Sequence, residues 1–183
     1  MKKVYLLVLL LVPFLSAQQN NKGSISLVYN GEKIDMPINS VTIHKEDGIM
    51  LSVKAEQTKS NFNQMVALEL AFNELSSGPD AETLEGTWIK ITTKDISDNS
   101  GKELSVRFSD DKDKSEAYYG ILNKGERQSW GITSVSLKID ITDIKYTEGA
   151  LHISGECNGS FESKDAPEGE IAEIKDGRFE III

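Results

Sequence analysis

Apolar and polar residues alternate with period two along most of this 183-residue chain, up to its last position. The C-terminal stretch "EIAEIKDGRFEIII" shows the pattern best, because it runs through an Asp-Gly pair and stops on three isoleucines. Period two places residues i, i+2 and i+4 on one face of an extended strand. A terminus this apolar is stable only when it is paired inside a sheet and covered, since an open edge ending in isoleucines would template aggregation. The alternation therefore predicts an all-β protein with its C-terminus in a sheet interior. Asp176-Gly177 is expected to fold that last strand back on "EIAEIK", with Phe179, Ile181 and Ile183 on its buried face.

Turn signals divide the chain. Asn30-Gly31, Asp47-Gly48, Lys124-Gly125, Glu148-Gly149 and Asp176-Gly177 each separate alternating segments. Asn-Gly and Asp-Gly supply the positive φ of two-residue hairpin turns. The first hairpin sets Ile25, Leu27 and Tyr29 against Ile34, Met36 and Ile38. The second sets Val41 and Ile43 against Ile49, Leu51, Val53 and Ala55. Residues 62–73 are ambiguous. Met65, Leu68, Phe72 and Leu75 share a helical face, but Phe62, Val66, Leu68, Leu70 and Phe72 alternate, and strand is preferred. "GTWIKITT", "ELSVRFS" and "AYYGIL" are further strands. In "SVSLKIDITDIKY" the apolar parity changes after Ile141, which predicts a bulge near Thr142-Asp143.

The N-terminus reads "MKKVYLLVLLLVPFLSAQQNN". Two lysines, a short apolar run and small residues before a polar stretch are the layout of a secretory signal peptide, residues 1–17, cut near Ala17. The run is short of the about 20 residues that span a bilayer. Cleavage would leave residues 18–183 as one domain without a transmembrane span. Losing Lys2 and Lys3 would take the net charge from −9 to −11. Such a chain repels phosphate backbones, so nucleic acid is excluded as a partner. An exported protein with one cysteine has no internal disulfide. Cys157 alternates in phase with Leu151, Ile153, Gly155 and Phe161, so it reads as a small core residue.

The segment "SLKIDITDIKY-TEGALHISGECNGSFES" followed by "IAEIKDGRFEI" resembles the C-terminal half of uncharacterised exported β-proteins of Gram-negative bacteria, many of them lipoproteins. The matching positions are Ile153, Ser154, Gly155, Gly159, Phe161, Ile174, Asp176, Gly177 and Phe179. The resemblance implies an exported all-β fold in the periplasm or outside the cell, and no known activity. Gln18 stands where a lipoprotein carries its cysteine, so tethering is not implied.

Candidates for chemistry are few. His44 and His152 fall on polar strand faces, and the ligand spacing of a zinc site is missing. Asp110, Asp111, Asp113 and Glu116 cluster without EF-hand spacing and are diluted by Lys112 and Lys114, so a solvated loop is preferred to a calcium site. No carboxylate pair stands out for sugar hydrolysis. The aromatics Trp88, Tyr118, Tyr119 and Trp130 are the best ligand candidates, because flat faces on a rigid sheet stack on sugars and other flat apolar groups. Trp130 and Tyr118 are singled out as contacts, with Trp130 in or beside a loop.

These readings predict one antiparallel domain of about 9–12 strands, a β-sandwich first and an up-and-down meander closing into a barrel second. The expected function is a non-catalytic exported or cell-envelope module that binds carbohydrate, lipid or protein, or serves a structural role. No catalytic residue, cofactor or metal is assigned. One alternative is a carrier of small apolar ligands, with a barrel cavity lined by Leu68, Phe72 and Tyr119. The other is a hydrolase with an unrecognised carboxylate site.

Overall fold

The computed structural model describes residues 21–45, 48–72, 86–107, 116–132, 134–162 and 171–183. The leader expected over residues 1–17 and the acidic run Asp110, Asp111 and Asp113 lie outside them. The described residues form strands and turns, with no helix among them. Among the described residues eleven strands follow in chain order. They are β1 (Gly23–Tyr29), β2 (Glu32–Lys45), β3 (Ile49–Lys59), β4 (Phe62–Phe72), β5 (Trp88–Asp95), β6 (Ser100–Arg107), β7 (Glu116–Asn123), β8 (Glu126–Gly131), β9 (Ser134–Thr147), β10 (Ala150–Glu162) and β11 (Ile171–Ile182).

All strands belong to one antiparallel sheet ordered β8-β7-β6-β5-β4-β3-β2-β1-β11-β10-β9. Strands β1 to β8 form one meander and β9 to β11 a shorter one. They are joined where the last strand pairs with the first. The sheet curls into a half-barrel. One continuous sheet thus takes the place of the two expected of a sandwich. The meander alternative fits in part: the hairpins are sequential, but β8 and β9 remain the two ends of the strand order.

The curl turns a corner at β2. Residues 32–37 of β2 pair with β1, whereas residues 38–45 pair with β3. Asn39 is the extra residue between the pairs Ile38–Ala55 and Ser40–Lys54. Strands change sheet direction through such bulges. The Asn39 side chain accepts a hydrogen bond from the Glu56 backbone N–H, and its carbonyl accepts one from Lys22 Nζ at 3.0 Å, so the corner is tied on both sides.

Bulges also explain why the apolar parity shifts. In β2 the buried set Ile34, Met36, Ile38 gives way to half-buried Val41 after Asn39. In β9 the shift lies at Thr142, as expected, because Ser154 pairs with Asp143 and Gly155 with Ile141. In β11 Ala172 and Ile174 are buried, and so are Phe179 and Ile181, at the opposite parity. Asp176-Gly177 produces that change. It is a bulge inside one continuous strand rather than the expected hairpin turn: Gly159 pairs with Ile174 but Cys157 with Gly177. The reason is conformational. Asn30-Gly31, Lys124-Gly125 and Glu148-Gly149 have positive φ at both residues, as a two-residue turn demands, whereas at 176–177 only Asp176 does, at 49°.

The ambiguous segment is strand β4, paired along its length with β3 and burying Val66, Leu68, Leu70 and Phe72. A helix there would leave two neighbouring strands unpaired. Of the terminal isoleucines expected on the buried face, Ile181 is buried and Ile183, one residue past the end of β11, is not. Ile181 sits between Gly23 of β1 and Ile153 of β10 and is inaccessible to solvent, while Ile183 is 36% exposed. Burying Phe179 and Ile181 contributes about 1.5–3 kcal/mol each.

Candidate functional site: an aromatic groove on the outer face

The inner face of β4 to β7 is apolar, with Leu68, Ile89, Ile91, Leu104, Val106 and Tyr119 all buried. Alternation sends their neighbours outward. Register then aligns Glu69, Trp88, Arg107 and Glu116 in one row across β4, β5, β6 and β7. The adjacent row carries Lys90, Ser105, Tyr118 and Gly131. Glu69, Trp88, Ser105, Arg107, Glu116 and Tyr118 line an open groove of about 270 Å³.

Trp88 is half-buried and oriented. Its indole N–H donates to Ser105 Oγ on β6 at 2.9 Å, and Ser105 is in turn the register partner of Tyr118. Tyr118 is 46% exposed. Its other register partner is Gly131 on the end strand β8, where an added Cβ would meet nothing within 4 Å, so that flank of the phenol stays open. The charged groups are partly committed. Lys90 Nζ lies 3.2 Å from Glu103, which also binds Arg127 at 2.8 Å. The Glu69 carboxylate accepts from Ser52 Oγ at 3.5 Å, away from Trp88. Arg107 and Glu116 are exposed at the groove.

Of the two contacts named from sequence, Tyr118 lies in this groove and Trp130 does not. Trp130 lies one residue before the end of strand β8, packs against the core and stacks on Tyr119, with ring centroids 6.3 Å apart and planes at 28°. Tyr118 and Tyr119 are chain neighbours and so face opposite sides. The alternation carried that signal, but the partnership of Trp88 with Tyr118 required the register across β6.

The remaining candidates stay apart. His44 is exposed on β2. His152 Nδ1 lies 3.6 Å from Glu180 Oε1. Cys157 is buried, and loss of solvent pushes its thiol up to about 12. Among the described residues no three His, Cys, Asp or Glu side chains converge as a metal site would require. A second groove of about 380 Å³ lies between the start of β2 and the β3–β4 hairpin, lined by Glu32, Lys33, Gln57, Lys59, Phe62 and Gln64. Searches against protein-family models, curated proteins and solved structures find no match to this chain.

Proposed function

We propose that the protein is an exported, non-catalytic binding module whose working surface is the outer face of β4 to β8. One observation carries this reading: Trp88 and Tyr118, two large aromatics held on a rigid sheet, remain accessible in one groove with charged neighbours. Export rests on the leader-like N-terminus. A carrier is less well supported, because Leu68, Phe72 and Tyr119 are each at most 3% exposed and pack within the core rather than around a cavity. A hydrolase is less well supported too. Glu69 and Glu116 stand three strand spacings apart, about 14 Å between backbones, and Glu69 leans toward Ser52. To meet the about 5–9.5 Å carboxyl separation of glycosidases, both side chains would have to reach toward each other across Trp88 and Arg107.

Native mass spectrometry tests the reading. The mature protein is incubated with an envelope extract of its host, beside a Trp88→Ala/Tyr118→Ala variant. An adduct held by the wild type and lost in the folded variant is the expected result. Equal adducts, or none, would count against this surface.

A further inference from the structure

We infer that the Trp88–Tyr118 groove binds a neutral pyranose saccharide, a deduction that rests on the groove being the binding surface. The two rings supply flat apolar faces for the C–H face of a sugar. Around them Glu69, Arg107, Glu116 and Ser105 supply acceptors and donors for ring hydroxyls. The groove is open and of about 270 Å³, just under the ~300–1,000 Å³ of an enclosed small-molecule pocket. That shape suits a chain lying across strands better than a ligand that must be engulfed.

Charge and surroundings narrow the class. Glu69, Arg107 and Glu116 in the lining and Lys90, Glu103 and Arg127 at its border balance one another, so the groove itself carries no net charge, on a chain of net charge −9. Anionic polysaccharides and anionic lipid surfaces are repelled. A protein partner would need about 800 Å² of its own surface in contact, with few charges at the centre. Here the groove is bordered by the Lys90–Glu103–Arg127 network. An acidic, charged sheet with a small aromatic cleft fits a neutral sugar best.

Affinity electrophoresis tests this. The mature protein runs in native gels containing laminarin, xylan, hydroxyethyl cellulose or polygalacturonate. Trp88→Ala, Tyr118→Ala and Gly131→Gln run beside it, with Phe62→Ala as a control from the other groove. Near-UV circular dichroism checks that each variant is folded. At least one neutral polysaccharide should retard the wild type and Phe62→Ala. Trp88→Ala and Tyr118→Ala should each weaken retardation about tenfold, the worth of one stacking contact. Gly131→Gln should weaken it by crowding Tyr118. The inference is overturned if no neutral polysaccharide retards the protein, if only polygalacturonate does, or if the groove variants bind like wild type. A groove-dependent adduct from the envelope extract that contains no sugar would overturn the saccharide alone. Absence of any groove-dependent adduct would remove the binding surface itself.

Discussion

Phe179 lays its ring over the backbone of Gly155, its register partner on β10: a Cβ built on Gly155 would stand 2.2 Å from Phe179 Cζ and 2.7 Å from the Asp140 carbonyl oxygen. The glycine is therefore a seat for the aromatic ring, and it fixes how β11 docks. Gly155→Ala should lower unfolding free energy by about 1–3 kcal/mol, as overpacking does. Phe179→Leu should recover part of that loss in the double variant. Urea denaturation of the four proteins in the cycle measures both. Additive losses would mean that the ring and the glycine do not meet.

The β11 bulge makes a second prediction. Asp176 holds φ at 49°, which a β-branched residue resists. Asp176→Val should cost about 1–2 kcal/mol, and Asp176→Gly should cost little. Gly177→Ala should cost more than Asp176→Gly, because its Cβ would meet the Cys157 carbonyl oxygen at 2.3 Å and the sulfur at 2.4 Å. Urea midpoints rank the three.

Cys157 predicts a pH dependence. Burial raises its thiol from 9.0 to about 12. Below pH 9 the thiol is protonated in both states, and its contribution is fully present. Above pH 9 the unfolded chain releases a proton that the folded chain retains, so stability falls as pH rises toward 12. The slope from this one group is on the order of 1 kcal/mol per pH unit. Cys157→Ala should flatten the decline between pH 9 and 11 relative to wild type. Native protein at pH 8 should also resist iodoacetamide until denatured.

Glu103 lies between Lys90 at 3.2 Å and Arg127 at 2.8 Å, with its own side chain 13% exposed. Because it serves two cations across β5, β6 and β8, it should be worth more than an isolated surface pair. Glu103→Gln should destabilise the protein by about 1 kcal/mol in low salt and by less in 1 M NaCl, where screening shortens to about 3 Å. Thermal melts at the two ionic strengths check this.

Much of the architecture was legible because strand alternation is a local property. The buried sets of β1, β3 and β4 follow directly from period two, and the parity change after Ile141 located the β9 bulge. Other features depended on what local patterns do not encode. Asp-Gly marks a positive φ, but whether one residue or two adopt it decides between bulge and turn, and β1 and β10 decide that for β11. The turn at Ser60, with φ of 54°, has no Asn-Gly or Asp-Gly to announce it. The half-barrel depends on β1 meeting β11, about 150 residues apart in the chain. The site divided the same way. Exposure of one tyrosine in Tyr118–Tyr119 follows from alternation, whereas the placement of Trp88 and Tyr118 in one groove follows only from cross-strand register.

One open sheet, whose two meanders are joined through the pairing of β11 with β1, packs its inner face into the core. Amide hydrogen exchange tests this most directly. β11 is hydrogen-bonded on both sides, to β1 and to β10, so the amides of Phe179 and Ile181 should exchange among the slowest in the protein, through global unfolding. Exchange at the rate of a fraying terminus would contradict the account.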